Sequence, residues 1–73
     1  MMKYYKVESS HWKNTMEFKS TLQLTEGQCF RITGHDGLRE YPTRLKVVSI
    51  SDVPEYKGQI VEITSVDTEV EPF

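Results

Sequence analysis

Apolar and polar residues alternate with a period of two along most of the chain, the pattern of half-buried β-strands. The clearest stretch is 16–24, with Met16, Phe18, Leu22 and Leu24 at even positions and Glu17, Lys19, Thr21 and Gln23 at odd ones. Ser20 is the one break, and predicts a bend or bulge. On a helix the same apolar residues would scatter around most of the circumference. Lys3–Glu8 predicts a strand with Tyr5 and Val7 on one face and Tyr4, Lys6 and Glu8 on the other. Cys29–Thr33 sets Phe30 and Ile32 against Cys29, Arg31 and Thr33. In Arg44–Ile50 the apolar residues Leu45, Val47, Val48 and Ile50 depart from strict alternation, which predicts a central or bulged strand. Gln59–Val66 completes the set, with Val61 and Ile63 inward.

Turn residues punctuate these runs. Thr25-Glu26-Gly27-Gln28 predicts a tight turn in which glycine supplies the permissive backbone. Gly34-His35-Asp36-Gly37 predicts another, since Asp-Gly is a favoured hairpin pair. Pro42 belongs at an edge or in a loop. Residues 9–14 predict a loop, in which Ser9 or Ser10 would cap any single helical turn. Residues 51–58 predict a connection with Val53 and Tyr56 tucked beneath it. The acidic tail 67–73 is expected to fray, with Val70 and Phe73 as docking points. The expectation is one domain over residues 1–73, all-β, a small five-stranded barrel; closure would remove exposed edges.

The run Leu22-Gln23-Leu24-Thr25-Glu26-Gly27-Gln28-Cys29-Phe30-Arg31-Ile32 resembles the diverging turn of SH3 domains. The resemblance implies an SH3-like barrel rather than an OB-like one. A helix between the third and fourth strands would favour the OB form, and none is predicted there. The SH3 peptide-binding signature does not extend to this chain. No ALYDY segment surrounds Tyr4-Tyr5, no tryptophan opens the strand after Pro42, and the late proline-tyrosine motif is missing.

With 73 residues, such a domain buries only about 60% of its unfolded surface, so its core is thin. Cys29 is the single cysteine and makes no internal disulfide. His11 and His35 stand apart, with no metal-ligand spacing around them. No apolar run has the length of a signal peptide or a membrane span. These features predict a cytoplasmic protein without cofactor, metal or membrane partner. A catalytic thiol needs a histidine or a positive field to lower its pKa, and no nucleophile motif surrounds Cys29. The expectation is a non-enzyme, with Cys29 a packed strand residue and His35 a turn residue.

Charge divides along the sequence. Residues 1–46 carry a formal +3 and residues 47–73 a formal −5, for a net −2. The first part mixes bases with aromatics, the second concentrates Asp52, Glu55, Glu62, Asp67, Glu69 and Glu71.

Two functions follow as expectations. The first is a protein–protein interaction module with Trp12 as its hot spot and Tyr4, His11 and Tyr41 around it, because tryptophan and tyrosine dominate interface energetics. Its partner is an unidentified protein, and weak self-association is compatible with it. Phages and mobile elements encode inhibitors of host proteins in this small format. The alternative is a nucleic-acid-binding barrel. There Tyr4 and Trp12 would stack on bases while Lys3, Lys6, Lys13 and Lys19 follow the phosphates. The acidic balance opposes that reading, because phosphate contacts supply most non-specific affinity. The acidic stretch of residues 52–71 is a further candidate surface, suited to a basic partner.

Overall fold

A computed structural model describes residues 1–9, 14–36 and 44–72. Five strands follow one another: β1 (Lys3–Ser9), β2 (Met16–Ser20), β3 (Cys29–His35), β4 (Leu45–Ser51) and β5 (Ile63–Asp67). They form one sheet in the order β2-β1-β4-β3-β5, with every pairing between neighbours antiparallel. No helix occurs among the described residues. Among the described residues the sheet is not closed: one parallel bridge joins Lys19 of β2 to Glu62 just before β5, with the Lys19 N–H donating to the Val61 carbonyl at 3.1 Å.

The inward-facing alternation builds the core. Tyr5, Val7, Phe18, Leu24, Phe30, Leu45, Val47 and Ile63 are buried, drawn from all five strands and the 21–28 connection. Full burial of such side chains is worth on the order of 1.5–3 kcal/mol each. Val48 explains the broken alternation of β4. Lys6 pairs with Ser49 and Val7 with Val47, so Val48 is the extra residue of a bulge and stands outward. β4 is also central, flanked by β1 and β3.

Three strand limits differ from expectation by two residues or more. β2 ends at Ser20 rather than Leu24. The buried Ser20 hydroxyl donates to the Ile63 carbonyl at 2.7 Å and accepts the Leu22 N–H at 3.0 Å, so a side chain replaces the ladder and turns the chain. β3 runs on through Gly34 and His35, where a turn was expected. The register shifts on both sides of Gly34, and a Cβ there would lie 2.5 Å from Ser65 Oγ and 2.8 Å from Thr64 Oγ1. Glycine is needed for the close approach of β5, not for a reversal. β5 starts at Ile63 rather than Gln59.

The turn at 25–28 forms as expected. Gly27 has φ +81°, and the Gln28 N–H donates to the Thr25 carbonyl at 3.1 Å. That turn docks on β4: Gly27 N–H reaches the Val47 carbonyl at 2.8 Å and Val47 N–H the Gln28 carbonyl at 3.0 Å. The strands on either side of it do not pair with each other.

Candidate binding cleft

The outer face of β1 and β2 is assembled by register. Tyr4 lies opposite Lys19, and Lys6 opposite Glu17. The segment 52–58 crosses this face as a strap. Glu17 grips it, its carboxylate accepting the Glu55 N–H at 3.0 and 3.2 Å through its two oxygens and the Tyr56 N–H at 3.0 Å. Lys3 forms an ion pair with Asp52, and Lys6 with Glu55. At the start of the strap the Val53 N–H donates to Ser51 Oγ at 3.2 Å, a local turn that a short hydroxyl side chain supports.

Between strap and sheet lies an open cleft of about 530 Å³. Tyr4 and Lys19 line it from the sheet, Pro54, Tyr56 and Lys57 from the strap, and Ile60 from the segment leading to β5. Glu55 and Gly58 complete its wall. The Tyr56 ring folds against Gly58, where a Cβ would collide with it. Val53 and Tyr56 were expected beneath the connection. They are instead 64% and 61% exposed, the two large apolar surfaces that the strap offers to solvent. Glu17 holds the strap by its backbone, so its side chains have no need of the core.

The contacts around Lys6 favour its charged form. The hydrogen bond to Glu55 and that residue's charge raise its pKa above 10.5, with Glu17 adding to the rise and desolvation opposing it.

Of the residues expected to bind protein, Tyr4 lines the cleft, while His11, Trp12 and Tyr41 lie outside the described residues. Of the alternative nucleic-acid set, Lys19 lines the cleft beside Tyr4, Lys3 and Lys6 are engaged by acids of the strap, and Trp12 and Lys13 lie outside the described residues. Cys29 is half-buried at the start of β3, opposite Lys46. His35, also half-buried, ends the same strand. Among the described residues no group of three or more His, Cys, Asp or Glu could hold a metal ion, and no helix is long and apolar enough to cross a membrane.

Sequence reasoning missed Tyr56 as a site residue. The hint in the sequence was an aromatic set between Pro54 and Gly58; nothing local marked it as exposed. No family model matches the chain, and no curated protein or solved structure matches it significantly.

Proposed function

We propose that this protein is a non-enzymatic protein–protein interaction module that engages its partner through the Tyr4–Tyr56 cleft. The observation that carries this reading is the strap. It presents Val53 and Tyr56 largely exposed while Glu17 holds the backbone N–H groups of Glu55 and Tyr56. An aromatic held in place before binding loses little entropy on association, which is what an interface anchor requires. Tyr4 adds a second ring on the sheet side of the same cleft. The fold that presents it is, on this proposal, a small barrel, with the Ser20–Ile63 bond and the Lys19–Glu62 bridge drawing β2 towards β5.

The nucleic-acid reading has less in its favour. Two of its lysines, Lys3 and Lys6, are paired with Asp52 and Glu55, which weakens the positive field that a phosphate backbone needs.

The test is capture from native lysate, after nuclease treatment, on immobilised wild-type protein and on Tyr56→Ala. The expected result is a defined partner bound by the wild type and lost from the variant by roughly thirtyfold in affinity, the effect of removing a hot spot of about 2 kcal/mol. A partner held at full strength by both Tyr56→Ala and Tyr4→Ala would show that the cleft is not the interface.

A further inference from the structure

The cleft holds three charged side chains, Lys19, Lys57 and Glu55. Glu55 is already committed, its carboxylate to Lys6 and its N–H to Glu17. Lys19 and Lys57 form no ion pair among the described residues. The cleft therefore offers a partner two uncommitted ammonium groups and no uncommitted carboxylate. Each sits beside a ring: Lys19 is the cross-strand neighbour of Tyr4, and Lys57 follows Tyr56 in the strap. Pro54 and Ile60 add apolar wall to the same cleft.

Resting on the reading of this cleft as the interface, we propose that its occupant is a short, extended acidic segment of the partner protein. An aromatic or aliphatic side chain of that segment sits between Tyr4 and Tyr56, and flanking carboxylates meet Lys19 and Lys57. Complementary charge at such a rim selects the partner and sets its register more than it adds raw affinity. A nucleic acid strand presents negative charge too, but as a continuous row. Such a row would run past Glu17, Glu55 and Glu62, which border the two lysines. A short peptide can place its few carboxylates on the lysines alone.

Three fluorescent probes test this on the whole chain: the peptide Glu-Glu-Tyr-Leu-Glu-Glu, its all-Gln counterpart, and an oligothymidylate. Binding is read by polarisation, and its place by amide shifts at Tyr4, Lys19, Tyr56 and Lys57. The acidic peptide is expected to bind there about tenfold more tightly than the Gln peptide, as two exposed ion pairs allow. Lys57→Glu, a change confined to the strap, should erase most of that preference, and adding Lys19→Glu should reverse it. No binding of the acidic peptide, equal binding of the two peptides, or tighter binding of the oligothymidylate overturns the proposal. If both peptides bind alike and Tyr56→Ala weakens both, the acidic occupant is wrong and the interaction cleft stands. If peptides bind and Tyr56→Ala changes nothing, both readings fall.

Discussion

On the inner side of β1, Tyr5 is 2% exposed. Its hydroxyl donates to the Leu22 carbonyl at 2.6 Å and accepts the Leu24 N–H at 3.3 Å. On the outer side, Tyr4 lines an open cleft, and its strand neighbours Lys3 and Lys6 hold the strap by ion pairs at the surface. The inner face fixes the chain by burial and by satisfying buried and part-buried polar groups. The outer face fixes a loop by contacts that water can replace. Buried contacts of this kind set the global stability, whereas solvated ones set local opening. Adjacent tyrosines thus divide between the core and the cleft that we propose as the interface.

The largest effect expected from this division comes from truncating each tyrosine in turn. Tyr5→Ala should cost about 3–5 kcal/mol, the range for removing a buried aromatic, and Tyr4→Ala about 1 kcal/mol or less. Urea denaturation measures both, and comparable losses would break the comparison. Next is Glu17→Gln, which keeps the shape of the side chain but weakens the charge-assisted bonds to two backbone N–H groups. Hydrogen exchange at the Glu55 and Tyr56 amides should accelerate severalfold while the amides of β3 and β4 remain as protected as before. Uniform acceleration would mean that strap and core open together. The smallest effect concerns pH. The folded pKa of Lys6 lies above 10.5, so the stability its pair provides is fully present below pH 10.5 and is lost as the pH rises through the folded value. A side-chain NMR titration should show Lys6 deprotonating later than a free lysine, and Glu55→Gln should bring it back towards 10.5. A titration unchanged by that substitution would remove Glu55 as the cause.

The strands were legible in the sequence because each depends on its own alternation. Tyr5, Val7, Phe18, Phe30 and Ile63 are inward as their positions require. The strand order was not legible. Nothing in a period-two pattern says that β4 comes between β1 and β3, since that choice is made by residues distant in the chain. A trace of it lay in the charge. The excess of bases before residue 47 and of acids after it becomes Lys3–Asp52, Lys6–Glu55 and Arg31–Asp67 in the fold. Segregation along the chain turns out to be pairing across it. Ser20 hinted at a bend in β2, but the reason the strand stops there is not local: its hydroxyl acts through Ile63, a residue met only later in the chain. The exposure of Tyr56 had no local signal either. It comes from the grip of Glu17 on a backbone 38 and 39 residues away. The Gly27 turn within 22–32 formed as expected, and the strands on either side of it pair elsewhere.

The bond from Ser20 to the carbonyl of Ile63 spans 43 residues, and this matters while the chain is being made. β1 and β2 are synthesised first and can pair at once, but their inner face cannot be covered until β4 has emerged and β5 has joined it. Through that interval Tyr5, Val7 and Phe18 lack the partners that bury them, a state open to aggregation and to chaperone capture. Contacts this distant also put folding in the slow range typical of β-proteins, about milliseconds to seconds. The ribosome therefore holds most of an unfinished sheet before the residue that fixes its corner exists.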